Sequence, residues 1–265
     1  MNRLALGFLA LALLLPASPA LAEEGADGLM RRSEKARRLR DVNSEGRVVT
    51  KEKDGREKVK TFTWWRKTTE AGRFHTLTRF KTPADVRDEA ILFLERDRDT
   101  SDVFLYLPNF KKTRRVESQS QSASFMGTAF SYSDIAAPHA DDYTHKLLKS
   151  EPCPGDEKSR CQVVESVPVS DGVKERTGYA RIVQWIHPAH ALPVRGDFFG
   201  DDGELRKRLA QARIVEVDPE NRKWMAHWLR IEDLKTGRVS TLEFGNVKVN
   251  AGIPDAMFTK ESLKR

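Results

Sequence analysis

From residue 46 to residue 249 the chain runs in short stretches of alternating apolar and polar residues, separated by turn signals. GRVVTKE at 46–52, the turn KDGRE and KVKTFTWW at 58–65 read as a β-hairpin. RFHTLTRF (73–80), AILFLER (90–96), DVFLYLP (102–108) and KKTRRVES (111–118) continue the rhythm. It resumes at THKLLKSE and persists to RVSTLEFGNVKV at 238–249. Thr82-Pro83-Ala84-Asp85 and Pro108-Asn109 mark turns between strands. The connections are too short for parallel crossovers, so the strands should pair antiparallel. A long series of such strands closes into a barrel or curls into a half-barrel, which limits exposed edges. The expectation is a mainly β chain of about eleven strands in one domain over residues 23–265.

Two segments depart from the period of two. At 26–42, Leu29, Ala36 and Leu39 make one narrow helical stripe among Arg31, Arg32, Lys35, Arg37, Arg38 and Arg40. That stripe is too thin to fold alone, so the helix should pack on the concave side of the sheet. In SFMGTAFSYSDIAAPHADDY (124–143), Ser131 or Ser133 can cap a short helix that runs through Ala137 and stops at Pro138.

The first residues form three zones. Arg3 begins a positive segment, Leu4 to Leu15 is apolar, and Ala20-Leu21-Ala22 fits a signal-peptide cleavage pattern. Cleavage after Ala22 would leave a periplasmic chain beginning at Glu23, with no cysteine there to carry lipid. The full chain has 46 basic and 39 acidic side chains, spread along its length. Such a mild excess suits a membrane surface better than nucleic acid, and no nucleic-acid partner is expected. The two cysteines, Cys153 and Cys161, lie in SEPCPGDEKSRCQ, a loop-like stretch, and in an oxidising compartment should close a disulfide across a turn.

Catalytic signatures are missing from the sequence: it has neither a GxxxxGK[ST] phosphate loop nor a G-x-S-x-G elbow. His187-Pro188-Ala189-His190 is the one close histidine pair, and Pro188 denies it helical metal-ligand spacing. No enzyme, cofactor or metal is therefore expected. Two other features carry more information. Ile91-Leu92-Phe93-Leu94 and Val103 to Leu107 are apolar on both strand faces, which requires a cover on each side; one side meets either a ligand cavity or a filled core. Lys111-Lys112-Thr113-Arg114-Arg115 is either a solvated sheet face or a contact for phosphate headgroups or an acidic partner, with Arg114 and Arg115 suited to bidentate binding.

Several motifs together resemble the outer-membrane lipoprotein-sorting proteins of the LolA-like superfamily. They are Phe80 and Pro83 before an apolar strand, Tyr106-Leu107-Pro108, Arg114-Arg115, Phe125-Met126-Gly127-Thr128, Tyr132-Ser133-Asp134, and the closing VNAGIPDAMFT. The resemblance covers nearly all of the chain after residue 22. It implies an open, incomplete antiparallel β-barrel whose concave face is covered by the N-terminal and mid-chain helices, around a hydrophobic cavity for acyl chains. It further implies a monomeric periplasmic carrier of lipid or lipoprotein that works between an inner-membrane exporter and an outer-membrane acceptor. Trp64, Leu92, Leu94, Phe104, Tyr106, Phe125, Met126, Phe130 and Trp185 are the expected lipid-binding residues. The motifs mark no counterpart of the strand arginine that holds the lid helix closed in the best-known carrier of the superfamily. The rival reading is a non-catalytic accessory subunit docked on an RND-type exporter.

Overall fold

The computed structural model describes residues 24–96, 101–117, 120–136 and 139–264. The proposed signal peptide and its cleavage site at Ala22 lie outside the described residues, as do Ala137 and Pro138. Thirteen strands, two more than expected, form one antiparallel sheet among the described residues. In chain order they are β1 (Asp41–Lys51), β2 (Glu57–Thr68), β3 (Phe74–Thr82), β4 (Ala90–Glu95), β5 (Ser101–Leu107) and β6 (Lys112–Val116). After the mid-chain segment come β7 (Tyr143–Cys153), β8 (Asp156–Pro168), β9 (Arg181–Ile186), β10 (Pro193–Phe199), β11 (Leu205–Asp218), β12 (Lys223–Asp233) and β13 (Arg238–Val249). The order across the sheet is β6-β5-β4-β3-β2-β1-β13-β12-β11-β10-β9-β8-β7. Two meanders are thus joined by the β1–β13 pair, and β6 and β7 stay as edges, so the barrel is open.

The front helix, α1, is shorter than its apolar stripe suggested. It spans Ala26–Arg37, and the chain is extended again from Asp41. Asp41 accounts for that early switch: it is buried and its carboxylate accepts the backbone N–H groups of Ala251 (2.7 Å) and Gly252 (3.2 Å). Leu29 and Met30 of α1 pack with Val164 and Ile186 of the β8–β9 half. The mid-chain helix, α2 (Tyr132–Ile135), is capped by Ser131, whose hydroxyl accepts from Asp134 N–H while Asp134 accepts from Ser131 N–H. A third helix, α3 (Asp171–Thr177), starts at the Ser170 cap and ends at Gly178 in the left-handed region; the sequence reading missed it.

The apolar strands are covered on both faces. Strand pairing places Trp64, Phe80, Ile91, Phe93, Val103 and Leu242 on the inner face, where Phe125, Ala129, Phe130 and Tyr132 of the mid-chain segment pack onto them. Leu77, Leu92, Leu94 and Phe104 point the other way, against Ile253, Phe258 and Leu263 of the C-terminal segment. A second outer cluster surrounds the disulfide Cys153–Cys161, with Val163, Val183 and Trp185.

One glycine is required by packing. A β-carbon at Gly46 would lie 2.2 Å from the Phe62 ring, which meets Phe80 edge-on at 5.8 Å and Phe244 at 6.4 Å. Near it on β13, Gly245 has open space around the same position. Gly46→Ala should therefore destabilise by about 1–3 kcal/mol through overpacking, whereas Gly245→Ala should change stability by less than about 1 kcal/mol. Urea unfolding midpoints of the two variants check this contrast.

Candidate functional site

The inner face is wider than its cover. The mid-chain segment fills the space over β1–β5, α1 lies against β7 and β12, and a cavity of about 270 Å³ remains between them. Its apolar wall is built by alternation on four strands: Trp64 of β2, Leu209 of β11, Met225, Leu229 and Ile231 of β12, and Leu242 and Phe244 of β13. Phe130 and Ile135 close it from the mid-chain side, and Met30 and Arg37 from α1.

Three polar arrangements rim the cavity. The first is a clasp between α1, the mid-chain segment and β4. His139 Nδ1 donates to Glu34 Oε1 at 2.9 Å and Nε2 donates to Glu95 Oε1, while Glu34 Oε2 accepts from Ala140 N–H at 2.9 Å. Arg38 adds a second cation to Glu34, and its guanidinium lies 5.1 Å from the Phe74 ring centroid. The hydrogen bonds to Glu34 and Glu95 raise His139 to about 9, against some opposition from burial. Burial opposes ionisation of Glu34 as well, but the His139 hydrogen bond and the Ala140 N–H hold it at about 2.

The second arrangement anchors α2. Asp134 accepts from Lys207 Nζ and from Tyr179 OH, each at 2.8 Å. Burial and the adjacent Asp134 charge push the Tyr179 phenol far above its ordinary value. The third is Arg66 of β2, which donates from Nε to Thr76 Oγ1 (3.0 Å) and from Nη2 to the Ile135 carbonyl (2.8 Å) at the end of α2. Its guanidinium lies 4.9 Å from the Trp64 ring centroid and 5.3 Å from that of Phe74. Burial, reinforced by the charge of Arg37, brings its pKa down to about 10.

The expected lipid-binding residues are divided among three places. Trp64 and Phe130 line the cavity. Phe125 and Met126 belong to the filled inner core beside it. Leu92, Leu94, Phe104 and Tyr106 sit on the outer face with the C-terminal segment, because the alternation at 91–94 and 103–106 sends the odd-numbered residues inward. Trp185 is also outward, packed on the disulfide cluster; its Nε1–H donates to Glu151 Oε1 at 2.5 Å and Arg195 lies over its ring. Arg66, His139 and the wall residues Leu209, Met225, Leu229, Ile231, Leu242 and Phe244 line the cavity outside that expected set. Arg66 and Trp64 share a face by simple alternation, so that signal was present.

Arg115 is paired with Asp102 at 2.7 Å, while Arg114, on the other face of edge strand β6, is exposed. His187 and His190 stack at 4.3 Å between centroids, and among the described residues no group of three His, Cys, Asp or Glu side chains is placed to hold a metal. No helix among them is long and apolar enough to cross a membrane.

This open antiparallel sheet, with two short covers over an apolar cavity, is the LolA-like fold. A family model described as "Uncharacterized protein" matches residues 72–265, and the chain belongs to that family. Among solved structures it is similar to a lipoprotein-sorting protein domain from Vibrio parahaemolyticus. The two share 25% identity over 91% of this chain and 98% of that one, with a TM-score of 0.83. A DUF1329 family protein from Desulfovibrio piger is 26% identical over 89% of this chain and 97% of its own, with a TM-score of 0.82. A LolA superfamily protein from Nitrosomonas europaea, 22% identical over 90% of this chain and 99% of its own, shares the fold with a TM-score of 0.69. A search of curated protein sequences finds no match.

The clasp has a pH signature. His139 is raised from 6.5 to about 9, so its contribution to stability is complete below about pH 6.5 and fades as pH rises through 9. Glu34, lowered from 4.5 to about 2, loses its contribution only as pH falls through that lower range. The stability gap between the wild type and His139→Gln should therefore be widest near pH 5–6 and shrink by pH 9.5. Urea unfolding at these pH values measures it, and a gap that stays constant would count against a protonated His139.

Proposed function

We propose that this chain is a periplasmic carrier, which binds an acyl chain of a lipid or lipoprotein in the inner-face cavity and helps deliver it to the outer membrane. The observation that carries this reading is the cavity itself: an apolar wall on four strands, left unfilled beneath α1 and the mid-chain segment. Its volume lies just below the usual range of small-molecule pockets, which suits one chain better than several. Each buried methylene contributes about 0.8 kcal/mol, so a medium-length chain is held without any polar contact. The likeness to a protein described as lipoprotein-sorting adds support.

In this reading residues 1–22 are the export signal and 23–265 form one monomeric carrier domain. An inner-membrane exporter loads it and an outer-membrane acceptor unloads it. Arg66 does the work of a lid latch, since its bond to the Ile135 carbonyl ties the end of α2 to the sheet. No catalytic step is assigned.

Mass spectrometry of lipids extracted from protein purified under native conditions tests the proposal. A stoichiometric acyl species is expected; a folded protein free of lipid that also ignores a fluorescent fatty acid would sink the carrier role. Variants locate the site. Leu229→Trp, which fills the cavity, should weaken acyl binding by at least about tenfold, the equivalent of two lost methylenes. Phe104→Ala, on the outer face, should cost about 3–5 kcal/mol of stability and leave the affinity of the folded fraction unchanged.

The accessory-subunit reading is favoured by one observation at the β5–β6 turn. Phe110 is 69% exposed and is followed by the exposed Lys111, Lys112 and Arg114. An exposed aromatic beside three cations fits an acidic protein or membrane surface. Under this reading, Phe110→Ser should abolish periplasmic crosslinking to a membrane partner while leaving the lipid content of the protein unchanged.

A further inference from the structure

We propose that the cavity selects amphiphiles with an anionic headgroup, and that Arg66 is the residue that receives the charge. This inference rests on the carrier reading and names the class of cargo. It follows from an accounting of the charges at the cavity. Asp134 is neutralised by Lys207 and further held by the Tyr179 hydroxyl. His139 lies between Glu34 and Glu95, and Arg38 completes a group with two positive and two negative charges.

Arg66 is different. Its hydrogen-bond acceptors are a hydroxyl and a backbone carbonyl, and its other neighbours are the faces of two aromatic rings. Among the described residues no carboxylate lies within ion-pair distance of it. Glu95, the carboxylate that favours its charge, is already engaged by His139 and by the Phe74 N–H at 2.7 Å.

A buried cation held only by neutral partners retains much of its desolvation cost, which an arriving anion would offset. Arg37, at the end of α1, lines the same cavity and adds a second positive charge near the first. A guanidinium presents a planar fork that matches a carboxylate or a phosphate, and among the described residues Nη1 of Arg66 makes no hydrogen bond. Leu209, Met225, Leu229 and Leu242 continue the wall with no charge, as a tail requires. One site therefore offers a cation to the head and an apolar wall to the chain. Free fatty acids and phosphorylated lipids share the chemistry it recognises.

The test compares dodecanoate, dodecyl phosphate and dodecan-1-ol as competitors of a neutral fluorescent acyl probe, at pH 7.5, on wild type, Arg66→Met and Arg66→Lys. A charge-assisted hydrogen bond contributes roughly tenfold or more in affinity. The wild type should accordingly prefer at least one of the two anions over the alcohol by at least about tenfold. In Arg66→Met that preference should fall below about threefold with the affinity for the alcohol retained, and Arg66→Lys should restore part of it. Whichever anion binds more tightly separates a fatty-acid cargo from a phosphorylated one. Equal binding of all three by the wild type would overturn the headgroup assignment and leave the carrier reading standing. An unchanged preference in a folded Arg66→Met would remove Arg66 as the receiver. Failure of all three ligands and the probe to bind would refute the carrier reading itself. The wild-type comparison and Arg66→Lys keep the test decisive if Arg66→Met does not fold.

Discussion

A sheet that is apolar on both faces must be covered twice, and the rest of this structure follows from how unequally the two covers are made. On the outer side the strand residues Leu77, Leu92, Leu94 and Phe104 meet Ile253, Phe258 and Leu263, and Arg79 pins the cover by donating to the Ser262 carbonyl at 2.8 Å. That layer is complete. On the inner side the same β3–β5 strands are sealed by Phe125, Phe130 and Tyr132; the Phe125 ring lies tilted against Phe80 and Phe93, and the Tyr132 ring against Phe93. The sheet then continues through β13 to β7, where α1, the brief α2 and the seven-residue α3, whose Val173 packs with Tyr143 and Ile182, cover only part of it. Leu229, Met225 and Phe244 stay only partly buried as a result, although they face inward. The cavity is the part of the inner face that these covers leave unfilled.

Much of this was legible in the sequence because a period of two is a strong signal. Every strand lies on a run of alternating or apolar residues, the antiparallel pairing follows from short turns, and Ser131 was already one of two named caps for α2. Even the two runs that flank Pro188, ARIVQWIHP and ALPVRGDFFG, are distinct in the pattern and become the separate strands β9 and β10, although the count of about eleven falls short of thirteen. The front helix was read too long because its stripe reaches Leu39, while the strand start at Asp41 depends on Ala251 and Gly252, more than two hundred residues away. No local pattern carries that information.

The site was legible in kind and displaced in detail. Apolar residues on both faces of β4 and β5 correctly demanded two apolar spaces, yet large residues were chosen by size and not by parity. Leu92 and Leu94 belong with Phe104 outside; Ile91 and Phe93 belong with Val103 inside. Trp64 carries an aromatic signal in the sequence, whereas Arg66, two positions on, shares its face by alternation but carries nothing else that sets it apart from the chain's many other arginines. The β11–β13 wall was missed for another reason: its members are ordinary core residues in sequence, and only the shortfall of the inner cover turns them into a lining.

The polar rim divides by charge balance, and the division separates structure from recognition. The Glu34–His139–Glu95–Arg38 group joins α1, the mid-chain segment and β4 with its charges matched, so each member is stabilised where it stands and gains nothing from a newcomer. The Asp134–Lys207 pair fixes α2 in the same self-sufficient way. Arg66 also holds α2, but through a carbonyl, and a neutral acceptor leaves the cation's charge unanswered. A purely structural tie at that place needs no guanidinium, since a neutral donor on the same strand can bond a carbonyl without the cost of burying a charge. The charge is therefore the informative part of Arg66. In the proposed carrier it marks a point on the cavity wall where a bound anion would supply electrostatically what the described residues do not.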